Sequence, residues 1–354
     1  MKLSIYPTCL FIIMAISGSA QTPNISNNQS KKSTENLPYL TFEKKYLFPG
    51  DSMLSRPEDG VALTDGRVIV SDEQKGLRII EKTGSNRPFG NFSDAGFVTN
   101  TTETPSAPNG LFLEHDKQHL LMCDYYTGKI YRINISSEKV VVVYDHPFSV
   151  NAIYRDKTGA IWFTQSDNNT NRNVSSINSN IPSGAVYRLA NEKSEPTTIV
   201  DSLHLANGIT MDQDEKTLFV AESLMNRILS FDVDITNGKT SNHGVAAVVV
   251  GPDNICVDSQ GRLIVASPIT STVTAVDFKN HSQHIIFDAS TPETRKLADE
   301  WFFRSQTGKP RLDLFTRKLF GPLPGLLTGM FFSPDGRTLY IATLGKAILK
   351  LDMN

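Results

Sequence analysis

Cysteine is scarce in this 354-residue chain: there are three, and Cys9 lies in the N-terminal segment treated below. The two that remain, Cys123 and Cys256, sit on well-separated strand-like segments. They read as free core thiols rather than a disulfide framework. An excess of charge of one sign is also lacking. Lys and Arg total 35 against 37 Asp and Glu, a formal net charge of -2. Neither nucleic acid nor an anionic membrane surface is therefore expected as a partner, since both demand concentrated basic charge. No apolar run reaches the roughly 20 residues that span a bilayer. The chain has no Gly-X-Ser-X-Gly elbow, no P-loop and no Gly-X-Gly-X-X-Gly after a strand, so none of these signatures offers a site.

A short apolar run does open the chain. Lys2 is the only charge before Leu10-Phe11-Ile12-Ile13-Met14-Ala15-Ile16, and Gly18-Ser19-Ala20 supplies the small residues that a signal peptidase reads. Residues 1–20 are predicted to be a cleaved signal peptide, with a retained anchor as the alternative. The mature protein is then expected to be a secreted or periplasmic monomer. Residues 21–38 are polar and lack an apolar period, which predicts a flexible leader. Asn-X-Ser/Thr acceptors stand at Asn24, Asn28, Asn91, Asn100, Asn134, Asn168, Asn173 and Asn280. They would carry glycans in a eukaryotic secretory pathway and carry no meaning in a bacterial periplasm.

What the chain has in quantity is turn formers and aromatics, with 23 Gly, 18 Pro and 19 Phe. From Tyr39 onward it repeats itself. PEDGVALTDGRVIVSD from Pro57, APNGLFLEHDKQHLLMCD from Ala107 and VNAIYRDKTGAIWFTQS from Val150 share one grammar with ANGITMDQDEKTLFVAES from Ala206, PDNICVDSQGRLIVAS from Pro252 and LTGMFFSPDGRTLYIAT from Leu327. Each is a hairpin: an alternating run, a tight turn, then a β-branched run ending in a small or polar residue. A third strand of the GKIYRI type follows each, and often a fourth. Four antiparallel strands repeated six times predict an all-β fold, a six-bladed β-propeller over residues 39–354. The last unit has only three strands, so the segment Tyr39–Phe48 is expected to complete it and close the ring. The spacing to the sixth unit is too long by the stretch 288–322, a short helical insertion between blades 5 and 6. Its Trp301, Phe302 and Phe303 read either as a lid over the channel or as a packing face.

The leading polar residue of each repeat would converge with its counterparts on the central channel. These residues are Glu58, Asn109, Asn151, Asn207, Asp253 and Thr328, with Asp59 and Asn254 adjacent. All are oxygen donors, and neither His nor Cys is among them. That chemistry suits calcium, or another divalent cation, and is poor for zinc or copper. Any one of them alone would read as a turn residue. Metal ligands and substrate contacts are expected among them, with Asn109 orienting substrate. Asp253 is the expected proton acceptor.

The segments LANGITMDQDEKTLFVAES and GPDNICVDSQGRLIVAS resemble the gluconolactonase, regucalcin and luciferin-regenerating family, and PEDGVAL adds features of paraoxonase-type arylesterases. The resemblance implies a six-bladed propeller with a channel calcium, and a hydrolase acting on a small-molecule lactone or related ester. The family's glutamate falls on Glu58, its asparagines on Asn151 and Asn207, and its aspartate on Asp253, and Asn254 matches the paraoxonase-like pattern; the resemblance thus implies these five as the metal ligands, with Asn151 also contacting substrate. Ala152 stands where an Asp usually follows, which puts a second calcium in doubt although Asp59 survives. The paraoxonase histidine falls on Asn109, leaving His204 as a candidate at the rim beside its alternative as a blade-edge residue. Two other readings stay open: a non-catalytic calcium-stabilised propeller, and a strictosidine-synthase-like condensing enzyme, against which the amide ring argues.

Overall fold

The computed structural model describes residues 37–353 apart from 51–52, 99–105, 169–173 and 179–180. The predicted signal peptide, most of the leader, Cys9 and the acceptors Asn24, Asn28, Asn100 and Asn173 lie outside the described residues. Six sheets form the predicted six-bladed propeller. In blade 1 the strands Gly60–Ala62, Val68–Asp72, Gly76–Ile80 and Asn86–Phe89 follow one another antiparallel. The other blades repeat this order from inner strands Pro108–Leu113, Val150–Arg155, Ala206–Met211, Ile255–Val257 and Leu327–Phe332.

The apolar runs are continuous because each blade is covered on both faces. Strand alternation sends Ile69, Leu77 and Ile79 against Leu111, Leu120 and Met122 of blade 2. It sends Val68, Val70 and Ile80 the other way, against Phe331, Tyr340 and Ile348 of blade 6. Each such side chain fully removed from water contributes about 1.5–3 kcal/mol. Cys123 and Cys256 are free thiols, as read from the sequence. Among the described residues no helix is long and apolar enough to cross a membrane.

The segment 39–48 does not form one strand. A 3-10 turn at Lys44–Tyr46 divides it. Leu40–Thr41 runs parallel to Ser282–Asp288 as a fifth strand of blade 5, and Leu47–Phe48 pairs antiparallel with Ile348–Asp352 as the outer strand of blade 6. One short stretch thus bridges the last two blades.

The insertion carries a helix, Pro292–Thr307, between blades 5 and 6. Thr291 caps it by accepting from the Thr294 N–H at 3.1 Å, Pro292 fits its first turn, and Gly308 ends it in the left-handed conformation at φ 65°. Only Trp301 of the aromatic trio turns inward. It is 2% exposed, against 42% for Phe302 and 52% for Phe303. Its Nε1 donates to Asn226 Oδ1 at 2.9 Å, and the Arg311 guanidinium lies 4.7 Å from its ring. Arg311 in turn donates to the Leu224 carbonyl of the blade 4 loop. The insertion is therefore a packed wall. Trp301→Ala is expected to cost about 3 kcal/mol or more in urea unfolding and Phe302→Ala less than about 0.5 kcal/mol. Equal costs would contradict this packing.

Candidate metal and active site in the channel

Four ring residues are aimed by the same local defect. In blades 2, 3, 4 and 6 the ladder between the first two strands slips between Pro108 and Leu111, Val150 and Ile153, Ala206 and Ile209, and Leu327 and Met330. Two residues there face one across the ladder, which is a β-bulge, a device that re-aims a side chain. The first bulged residue is in turn Asn109, Asn151, Asn207 and Thr328; the second is Gly110, Ala152, Gly208 and Gly329. Small residues are needed there because adjacent blades nearly touch. A Cβ on Gly208 would stand 2.7 Å from the Asp253 carbonyl, and one on Gly329 would stand 2.6 Å from the Glu58 carbonyl.

The ring is then laced from blade to blade. Asn109 Nδ2 donates to the Asn151 carbonyl at 3.1 Å, Thr164 Oγ1 to the Asn207 carbonyl at 2.7 Å, and Thr328 Oγ1 to the Glu58 carbonyl at 2.8 Å. The Gly208 N–H donates to the Asp253 carbonyl at 3.2 Å. Asp59 joins blades 1 and 2, one oxygen accepting from the Gly60 N–H and the other from the Leu111 N–H, both at 2.8 Å. Both Asp59 oxygens thus already accept a backbone hydrogen bond, and Ala152 offers no side-chain oxygen beside them.

Glu58, Asn109, Asn151, Asn207, Asp253 and Thr328 are all buried and line one cavity of about 160 Å³. Three of their oxygens have no hydrogen-bond partner: Glu58 Oε2, Asn151 Oδ1 and Asn207 Oδ1. The remaining atoms of these groups are held. Asn254 Nδ2 donates to Glu58 Oε1 at 3.1 Å, Asn151 Nδ2 donates to Ser166 Oγ at 3.0 Å, and Asn207 bonds the Asp253 carboxylate. Buried acceptors are normally paired, and leaving one bare costs about 1–3 kcal/mol. Three bare oxygens on three blades, with Asp253 beside them, fit a hard divalent cation.

Electrostatics agrees. Burial, then the charges of Asp253 and Asp59, push the Glu58 carboxyl well above its ordinary range. Burial raises Asp253 to about 7 against the hydrogen bond from Asn207 and the charge of Arg56. Asp59 is likewise raised to about 7 by burial, despite its two backbone donors. Acids crowded in a low-dielectric channel favour protons unless a cation replaces them.

Asn254 does not share the cavity of the other ring residues. It holds Glu58 while facing, with Asp59, a second cavity of about 570 Å³ further along the inner strands. His204 is turned to Glu222, with Nδ1 3.2 Å from Oε1, and does not line the small cavity. Arg56, Tyr125 and Tyr126 do line it and were not singled out from the sequence. They precede the repeat or follow its second strand, outside the aligned positions. Ser71 and Ser166 were foreshadowed by the small or polar residue ending each second strand. Ser71 Oγ accepts from the Glu58 N–H at 2.7 Å. Among the described residues Glu114, Asp116 and His119 also cluster closely enough to hold a metal. Glu114 there already accepts from Arg132 at 2.8 and 2.9 Å, and Asp116 contacts His119 Nδ1 at 2.7 Å, so these groups are already engaged with partners.

Residues 145–295, blades 3 to 5 and the start of the insertion, match the SMP-30/gluconolactonase/LRE-like region. The chain resembles that family. Lactonase drp35 of Staphylococcus saprophyticus is 26% identical over 209 residues, which are 44% of this chain and 64% of that protein's length. A gluconolactonase from Xanthomonas campestris superposes with a TM-score of 0.59 at 18% identity, covering 90% of this chain and 95% of the other. Regucalcin from Agrobacterium tumefaciens, a calcium-binding protein, gives 0.58 at 12% identity, covering 89% and 95%. At such identities the structures show the shared fold.

The raised carboxyls set a pH dependence. Without a cation, the folded protein holds protons on Asp59 and Asp253 up to about pH 7, whereas the unfolded chain releases them near pH 4. Stability must then fall as pH rises between those values. In chelator, the melting temperature is expected to drop by a few degrees from pH 5 to pH 7.5, and Asp253→Asn should flatten the slope. A slope that Asp253→Asn leaves unchanged would contradict this assignment.

Proposed function

We propose that this protein hydrolyses a lactone or related ester in the small cavity, with calcium held by Glu58, Asn151, Asn207 and Asp253. The observation that carries the proposal is the set of three partnerless oxygens on three blades of one cavity. The lactonase and gluconolactonase names of the similar proteins, and the calcium of the regucalcin, support it. Bound there, the cation would supply Lewis acidity toward a carbonyl oxygen.

The chain's own groups have distinct tasks. Asp253, which faces the cavity beside the proposed cation, takes the proton of the attacking water. The water oxygen bonds to the carbonyl carbon, the acyl–oxygen bond breaks, and the ring oxygen leaves as a hydroxyl with that proton. The product is a hydroxy acid, ionised at neutral pH. Asn151 presents its bare oxygen to the site, while Asn109 fixes the Asn151 strand through its carbonyl. Leu205, Ile269, Trp301, Leu326 and Leu344 wall the cavity with apolar surface, so polar recognition is confined to the floor.

A panel of aliphatic and sugar lactones tests the activity, and two variants test the roles. Asn207→Ala removes one neutral oxygen, and raised calcium should restore much of the rate. Asp253→Asn keeps shape and an oxygen but loses the proton acceptor, so the rate should stay roughly a hundredfold or more down at saturating calcium. Full recovery of Asp253→Asn would reduce Asp253 to a ligand. Calcium bound with no hydrolysis of any lactone would leave a binding module.

A further inference from the structure

Arg56 has no place in the roles assigned so far. It lines the same cavity as Glu58 and Asp253 and lies two residues before the ring glutamate. Its backbone is held in the left-handed region at φ 51°, with its N–H donating to the Gly345 carbonyl at 2.9 Å. A non-glycine residue in that region, placed directly before Pro57, is kept there only by its surroundings. Its charge is felt by Glu58, Asp253 and the Tyr125 hydroxyl, all on the cavity. Yet Nη1 is buried with no hydrogen-bond partner. A guanidinium carries five donors in a planar fork that matches a carboxylate. Burying that nitrogen of a half-exposed side chain at a cavity, without a protein acceptor, makes sense if the acceptor arrives with the ligand.

We propose that Arg56 is an anion-binding residue of the cavity, whose guanidinium takes the carboxylate of the hydroxy acid formed by ring opening. This rests on the hydrolase reading above for the identity of the anion, not for the existence of the site. With a divalent cation at the ring, Arg56 adds a third positive charge against the two carboxylates Glu58 and Asp253. The loaded cavity is then set to receive negative charge. A neutral lactone gains little from Arg56, whereas the charge that grows on its carboxyl oxygens during hydrolysis gains progressively more. Differential binding of this kind accelerates the chemical step.

The test is equilibrium binding to the calcium-loaded protein by titration calorimetry, with 4-hydroxybutanoate as the probe and neutral 1,4-butanediol as the control. Wild type should bind the carboxylate saturably and the diol far more weakly. Arg56→Met should weaken carboxylate binding about ten- to a hundredfold, the scale of a lost charge-assisted hydrogen bond. Arg56→Lys, which keeps the charge without the fork, should fall between and guards against a folding defect in the first variant. Equal carboxylate affinity in wild type and Arg56→Met, or no saturable binding to wild type, would overturn the proposal. Arg56-dependent binding in a protein that hydrolyses no lactone would uphold the anion site while removing the hydrolase reading. Lactone hydrolysis with carboxylate affinity indifferent to Arg56→Met would do the reverse.

Discussion

The channel is organised around buried oxygen that the protein does not itself neutralise. Glu58 and Asp253 face one small cavity, Asp59 lies behind them, and burial lifts all three acids above their ordinary range. A solvated loop would avoid such crowding at no cost. Here the backbone enforces it, because the segments that carry these residues lead directly into the innermost strands Gly60–Ala62 and Ile255–Val257. The bare oxygens and the raised acids are two faces of one constraint: the ring is complete in geometry and short of positive charge. Arg56 relieves part of that shortage, and a divalent cation would relieve the rest.

Holding the ring in this state requires the lacing between blades. Carbonyls of Glu58, Asn151, Asn207 and Asp253 each accept from the neighbouring blade, so their side chains are free to point into the cavity while their backbones are fixed. The glycines and alanine that follow the ring residues allow the approach. A bulkier residue at Gly208 or Gly329 would drive two blades apart and pull ligands off the cavity together. Stability and site geometry are thus coupled through the same few contacts.

Much of this was legible in the sequence because repetition multiplies a weak signal. One Asn before a strand is a turn residue; polar oxygen donors at equivalent points of six repeats mark a convergence, and the structure brings Glu58, Asn109, Asn151, Asn207, Asp253 and Thr328 to one cavity. The third strands and the insertion were visible for the same reason. What the repeat could not encode is what breaks it. Arg56 lies before the first aligned position, and its partners come from three-dimensional neighbours. Asp59 and Asn254 are adjacent to ring residues in sequence, but just ahead of the inner strands they face the other cavity. Trp301 and Phe302 are neighbours too, and the helix periodicity buries one and exposes the other. The division of 39–48 between two blades depends on the turn at Lys44–Tyr46, for which the strand pattern had no sign.

The central claim is that the channel ring, and not the cluster of Glu114, Asp116 and His119, holds the cation. Native mass spectrometry of the protein titrated with calcium decides it. The account predicts one calcium per wild-type chain, retained in Glu114→Gln and lost in Glu58→Gln at the same calcium concentration. Calcium retained in Glu58→Gln, or lost in Glu114→Gln, would contradict it.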